Sequence, residues 1–317
     1  MRIQLISPAT IDSRNGNRTT AVRWKNILQK LGHQVSVSQV YSGQNIDLML
    51  ALHAWRSADS IQLFADKYPN RPLIVALTGT DIYRYLHTHK QETLNSIKHA
   101  DLLIGLHANL AHSIPKQYHS KIRIIYQSTE TKPKRRSHHR RQFDACIAGH
   151  LRYEKDSLRP AYAVRTLPPY SRIQISHYGK AHTRAWENTA RIEMASNKRY
   201  QWYGEVSQSL LQFKFSQSDL LILPSRMEGG ANIISEAIVA GLPVIASSIE
   251  GSLGLLGNNY LGYFEVENTK HLKKILLRCE SDTKFYRQLI QQCQSRRHLF
   301  NPNREVFSFS KLITEIQ

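Results

Sequence analysis

The segment Ser225-Arg226-Met227-Glu228-Gly229-Gly230-Ala231-Asn232-Ile233-Ile234-Ser235-Glu236 holds two carboxylates eight residues apart around a glycine pair. It follows an apolar, strand-like run, Asp219–Leu223, and leads into a helical pattern, Ile233–Ala240. Glycines at such a strand-to-helix turn let backbone and ligand approach closely, and the unpaired amides of a helix start favour a diphosphate. Carboxylates accept hydrogen bonds from hydroxyls. Glu228 on the loop and Glu236 one turn into the helix thus suit the hydroxyls of a nucleotide-sugar, with the Gly229, Gly230, Ala231 and Asn232 backbone at its diphosphate. The plainer reading is a surface helix with two solvated glutamates. A second basic loop, Gly149-His150-Leu151-Arg152-Tyr153-Glu154-Lys155-Asp156, follows the strand-like Asp144–Ala148. Arg152 and Lys155 can stabilise charge that develops on a departing diphosphate; a surface turn capped by Asp156 is the alternative.

A third cluster lies near the N-terminus. Asn17, Arg18, Thr19 and Thr20, with Arg23 one turn on, place arginine and hydroxyl donors at a helix start. That suits a small tetrahedral anion, unless Asn17 or Thr19 only caps the helix and the arginines are solvated. Thr78, Gly79, Thr80 and Asp81 end the fourth strand, on the carboxyl edge where open α/β sheets bind ligands. Asp81 reads as a base or as the N-cap of the next helix, with the cap or an acceptor-positioning role preferred. There is no Asp-x-Asp, hence no clear Mg²⁺–diphosphate site, and no His-Glu-x-x-His. No metal and no bound cofactor is expected.

The Glu228/Glu236 spacing and the Arg152/Lys155 loop together resemble the Glu-x7-Glu and Arg/Lys motifs of GT-B glycosyltransferases. The resemblance implies an α/β fold of two doubly wound Rossmann-like domains facing each other across a cleft, with Glu236 on the ribose and Glu228 and residues 229–232 on the donor sugar and diphosphate. Four further stretches, Ser13–Trp24, Leu77–Tyr83, Ile125–Ser128 and Gly251–Gly257, are similar to the selenosugar synthases of selenoneine biosynthesis over nearly the whole chain. That resemblance implies a UDP-sugar donor (UDP-N-acetylglucosamine or UDP-glucose), selenophosphate as acceptor, a carbon–selenium bond at the anomeric carbon, and loss of UDP and phosphate. It also implies functional links to a selenophosphate synthetase and a downstream selenoneine synthase. The chain departs from retaining GT-B enzymes in two places: Arg14-Asn15-Gly16-Asn17 replaces a Gly-Gly pair, and Thr78-Gly79-Thr80 stands where a histidine is common. Both departures weaken the case for hydroxyl-acceptor chemistry.

Composition sets the frame for these motifs. The 317 residues point to two domains, and 41% apolar content with 9% aromatics excludes wholesale disorder. The balance of 43 Lys+Arg against 24 Asp+Glu, net +19, fits a nucleic-acid binder, an enzyme for phosphorylated substrates, or plain solubility. No apolar run is long enough to span a membrane, and the N-terminus lacks a signal-peptide core. Cys146, Cys279 and Cys293 are widely spaced, as expected of reduced thiols. A cytoplasmic protein without nucleic-acid partners or membrane insertion is expected.

The elements that position the motifs alternate strand and helix twice. Strands are predicted at Ile3–Ser7, Gln34–Val40, Asp47–Leu52, Leu73–Leu77, Leu102–Leu106 and Ile122–Tyr126, then at Asp144–Ala148, Ile173–His177, Gln201–Gly204, Asp219–Leu223, Pro243–Ala246 and Gly262–Val266. Helical patterns intervene, including Thr20–Leu31, Asn109–Ile114 and Ile233–Ala240, and Lys284–Arg297 and Glu305–Ile316 read as closing helices. The expected domains are 1–128, a basic linker 129–142, 143–297, and a C-terminal helix 298–317 returning to the first domain. The linker, which includes His138 and His139, also reads as a nucleic-acid arm or an anion-attracting rim.

Overall fold

Runs such as Leu48-Met49-Leu50-Ala51-Leu52 are apolar on both faces of the pleat, which suits strands covered by helices on either side. The computed structural model describes residues 1–10, 16–130 and 142–317. The chain forms two units: Met1–Ser128 with Glu228–Asn232 and Asn301–Gln317, and Thr129–Met227 with Ile233–Phe300.

In the first unit, β1 (Arg2–Ile6), β2 (Gln34–Ser38), β3 (Leu48–Leu52), β4 (Leu73–Ala76), β5 (Leu102–Gly105) and β6 (Ile122–Ile124) form a parallel sheet in the order β2-β1-β3-β4-β5-β6. Alternation along β3 sends Leu48, Leu50 and Leu52 into one core with Trp24, Leu28 and Phe309, while Met49 and Ala51 join Ile61, Phe64 and Ile97 on the other side. Helix α1 (Gly16–Lys30) buries Thr20, Ala21, Trp24, Ile27 and Leu28, a single stripe. The remaining helices before residue 100 are α2 (Ala58–Lys67), a π-helical turn Asp81–Tyr85, the short α3 (Leu86–Thr88) and α4 (Lys90–His99).

In the second unit, β7 (Phe143–Ala148), β8 (Ile173–Tyr178), β9 (Tyr200–Trp202), β10 (Leu220–Leu223), β11 (Val244–Ser247) and β12 (Tyr263–Phe264) form a parallel sheet in the order β12-β11-β10-β7-β8-β9. Its helices are α5 (Arg159–Val164), α6 (Arg184–Ser196), α7 (Gln208–Gln217), α8 (Asn232–Val239), α9 (Glu250–Leu256), α10 (Thr269–Ser281) and α11 (Thr283–Arg296). The last helix, α12 (Pro302–Glu315), belongs to the first unit, where Phe309 meets Trp24 edge to face at 5.1 Å.

Several elements differ from the sequence pattern. Asn109–Ile114 is a 3-10 segment, Ala108–Ser113, because Pro115 disfavours helical backbone at Ile114 and the segment is too short to continue. Helix α1 starts at Gly16, one turn before the predicted Thr20. Glu228–Asn232, read from sequence as part of the second domain, groups with the first unit. The Ser13–Asn15 part of the N-terminal motif and residues 131–141 of the predicted linker, including His138 and His139, lie outside the described residues. All three cysteines are buried and form no disulfide. Among the described residues, no helix is long and apolar enough to cross a membrane.

Candidate functional site

The strand order of the second sheet reverses between β7 and β10, its first and fourth strands. Crevices outside the carboxyl ends of strands at such a switch point are where open α/β sheets bind ligands. The loop after β7 carries Arg152 and Lys155, and the loop after β10 leads to α8. They are fastened to each other: the Arg226 amide donates to the Glu154 carbonyl at 2.8 Å. The Arg226 side chain donates to the Tyr153 carbonyl and to Glu267 Oε1 (2.7 Å), pairs with Asp156 (3.4 Å), and lies 4.1 Å from the Tyr153 ring centroid. Arg159 adds a second guanidinium to Asp156, at 2.8 Å. Asp156 and Glu267 both have left-handed backbone, φ 44° and 63°. Such conformations persist where surrounding bonds over-determine them. Asp156 therefore does close the turn at Tyr153–Lys155, while its carboxylate anchors two arginines.

The base of the same loop is fixed by a buried histidine. His177 Nε2–H donates to the Gly149 carbonyl (2.8 Å), and Nδ1 accepts from the Tyr200 hydroxyl (2.8 Å). Burial pushes the His177 imidazole down to about 4, so it is neutral at pH 7. Gly179 has φ 153°, and a Cβ there would lie 2.1 Å from the Gly149 oxygen, so no larger residue fits. His150, held by the Lys180 amide at 3.0 Å, is likewise pushed down to about 4, by burial first and then by His182 and Arg152. Arg152 Nε comes within 3.9 Å of Glu154, its neighbour on the loop. Glu236 lies in the second turn of α8, partly exposed, and its Oε2 accepts from Gln208 Nε2 at 2.9 Å.

In the first unit, β1, β3 and β4 are consecutive neighbours, so their carboxyl ends bring the start of α1, His53 and Thr78–Asp81 to one edge. Asn17, Arg18 and Thr19 lie in the first turn of α1 rather than at its cap. Arg23 is committed elsewhere than the sequence pattern suggests. Its Nε pairs with buried Glu305 at 3.1 Å, and Glu305 also accepts from Trp24 Nε1 (2.8 Å), the Ser128 amide (2.9 Å) and the Ser128 hydroxyl. The Gln127 amide completes this corner. With its oxygen turned to Thr20 Oγ1 (2.6 Å) and Arg23 (3.1 Å), its nitrogen donates to the Gly230 carbonyl (3.1 Å) and Asn232 Oδ1 (2.8 Å).

The glycine segment owes its glycines to packing inside the first unit. A Cβ at Gly229 would sit 2.0 Å from Gly79 N, and one at Gly230 would sit 2.3 Å from Leu106 Cβ. The close approach they allow is thus to Thr78–Gly79 and Leu106. Ala231 and Glu228 are buried beside them.

Asp81 is not an N-cap: Thr80 precedes the π-turn, without a side-chain cap bond. Instead the fully buried Asp81 carboxylate turns back to accept from the Thr78 amide (2.9 Å), Thr78 Oγ1 (3.0 Å) and the Trp55 amide (3.2 Å), and it contacts His53 Nδ1. His53 Nε2 is 3.0 Å from Thr80 Oγ1. The Arg56 amide also points at His53 Nδ1, at 3.1 Å. In a neutral ring one nitrogen cannot accept there and donate to Asp81; with the proton on Nδ1 toward the closer carboxylate, Nε2 is left to accept from Thr80. His53 has φ 77°, an unusual conformation for a residue with a side chain.

His53, Gln127, Gln208, Arg226 and Glu305 therefore join the residues legible in the sequence. A polar residue directly after an unbroken apolar strand marks His53; for the other four, only the tertiary contact marks them. Among the described residues, no three His, Cys, Asp or Glu side chains converge as metal ligands.

Comparison with solved structures gives close fold neighbours at low identity. Sucrose-phosphate synthase from Thermosynechococcus elongatus superimposes with a TM-score of 0.81 at 15% identity, covering 99% of this chain and 98% of that one. Anabaena HepE in complex with UDP gives 0.78 at 15% identity over 99% and 100%. A glycosyltransferase from Rickettsia africae gives 0.78 at 15% over 99% and 98%. These likenesses show the GT-B fold. No curated protein matches the sequence. A family model, glycosyl transferases group 1, matches residues 128–296, just over half of the chain. With two parallel α/β sheets and basic and acidic loops at the switch point of the second, the chain belongs to the group 1 glycosyl transferases.

Proposed function

We propose that this protein transfers a sugar from a UDP-sugar to selenophosphate. Selenium attacks the anomeric carbon, the bond from that carbon to the UDP oxygen breaks with its electron pair, and UDP leaves. Loss of phosphate then gives the selenosugar. The observation that carries the donor half is the pair of loops after β7 and β10, locked side by side by Arg226 at the switch point. In this reading Arg152 and Lys155 neutralise the departing diphosphate. Glu236, oriented by Gln208, accepts from the ribose. Solved neighbours in complex with UDP and with UDP-glucose support a UDP-sugar donor. Selenophosphate rests on the resemblance carried by residues 13–24, 77–83, 125–128 and 251–257. Arg18 and the first turn of α1 supply donors of the right kind for that anion.

The test is UDP release from UDP-N-acetylglucosamine and UDP-glucose, with and without freshly made selenophosphate, followed by mass spectrometry for a selenium isotope pattern. A selenium-bearing sugar establishes donor, acceptor and reaction together. UDP release only with a hydroxyl acceptor overturns the selenophosphate assignment and leaves a glycosyltransferase of another acceptor class. Glu236→Ala is expected to weaken UDP binding, and unchanged affinity would remove its ribose role.

A further inference from the structure

Thr80, His53 and Asp81 form a chain of hydrogen bonds from a partly exposed hydroxyl to a fully buried carboxylate. With the proton on Nδ1, facing the Asp81 carboxylate, Nε2 is bare and faces the Thr80 hydroxyl at 3.0 Å. His53 is 1% exposed and shielded by Tyr85 and Trp55, whose ring centroids lie 5.6 and 6.4 Å away. An imidazole with a bare nitrogen, backed by a buried carboxylate and aimed at a hydroxyl on the carboxyl edge of a sheet, is a proton acceptor. His53 pays for this placement with left-handed backbone, as strained residues at functional sites do.

A selenium anion attacking carbon needs no such base, but the second half of the reaction does. The product of the first step carries a carbon–selenium–phosphorus linkage, and its phosphoryl group has to be taken by water. We infer that Thr80, His53 and Asp81 are the relay that activates this water, an inference that rests on the selenophosphate reading. The water oxygen forms a bond to phosphorus, the phosphorus–selenium bond breaks, and selenium leaves with the electron pair as a selenolate. One water proton passes to the Thr80 oxygen while the Thr80 proton passes to His53 Nε2. The resulting imidazolium is stabilised by Asp81 and returns its proton to solvent as phosphate departs. Thr80 is the catalytic residue of this step, because its hydroxyl meets the water; His53 and Asp81 act through it.

The experiment measures phosphate and UDP released together, with the sugar products followed by phosphorus NMR and mass spectrometry. The wild-type chain is expected to release one phosphate per UDP. Thr80→Val keeps the side-chain shape and removes the hydroxyl; phosphate per UDP should fall at least tenfold, with a Se-phosphorylated sugar accumulating. Thr80→Ser should restore the ratio. His53→Gln should lower the ratio like Thr80→Val, a change that mere loss of folded protein would not produce, since it scales both products alike. A ratio that stays at the wild-type value in Thr80→Val overturns the relay while leaving the selenophosphate reading intact. A wild-type chain that releases no UDP with selenophosphate overturns that reading, and the relay with it.

Discussion

Glu305 is the residue whose removal tests most directly how the first unit holds its candidate anion site. It reaches from α12 to α1 and Ser128, is 1% exposed, and accepts from Arg23 Nε, Trp24 Nε1, the Ser128 amide and the Ser128 hydroxyl. Glu305→Ala leaves four donors without their acceptor, one of them charged. Breaking a buried ion pair by removing one partner costs about 3–5 kcal/mol. With roughly 2–4 °C of Tm per kcal/mol for a domain of this size, the expected fall is roughly 10 °C. Arg23→Ala breaks the same pair and leaves the buried Glu305 carboxylate with three neutral donors and no counter-charge, so its cost should be of the same order, about 3–5 kcal/mol. The two losses should not add, since both variants remove the same pair. The assay is thermal and urea denaturation of both single variants and the double, alongside turnover at saturating and limiting acceptor. A Glu305→Ala protein as stable as wild type would refute the structural reading. So would an Arg23→Ala protein of unchanged Tm that has lost acceptor turnover, because Arg23 would then belong to the anion site.

The second unit supplies three further predictions. His177 is neutral in the folded chain, down at about 4, against about 6.5 for an unfolded histidine. The unfolded state therefore binds the extra proton first, and this contribution, of the order of 3 kcal/mol, is intact above pH 6.5 and lost as pH falls toward 4; a Tm–pH series should show that decline, and His177→Gln should flatten it. Gly179→Ala places a Cβ 2.1 Å from the Gly149 oxygen and should displace the Arg152–Lys155 loop, read as a weaker UDP-binding constant by calorimetry or as loss of folded protein. Arg226→Ala removes the side-chain ties between the loops after β7 and β10, and limited proteolysis should show faster cleavage around Tyr153; equal protection in both proteins would mean that the amide bond from residue 226 to the Glu154 carbonyl suffices.

Much of the architecture was legible because fully buried parallel strands write themselves as short, unbroken apolar runs. Leu73–Ala76, Leu102–Gly105 and Leu220–Leu223 could be read without knowing their neighbours. The glycine turn before α8, the two acidic residues around it and the basic loop after β7 were equally visible, since each is a local pattern of residue types. Short elements were harder. The 3-10 segment at Ala108–Ser113 and the π-turn at Asp81–Tyr85 have no periodicity long enough to betray them.

What the sequence alone determined is which residue types stand at which strand ends. Tertiary structure decided what those residues do with one another. Arg23 and Glu305 are 282 positions apart, Arg226 and Tyr153 are 73 apart, and His53 and Thr80 are 27 apart, so no local pattern could pair them. The same holds for Gly229 and Gly230, whose missing side chains make room for Gly79 and Leu106. A side chain's type is written in the sequence, but its partner is set by strand order, which only the folded sheet specifies.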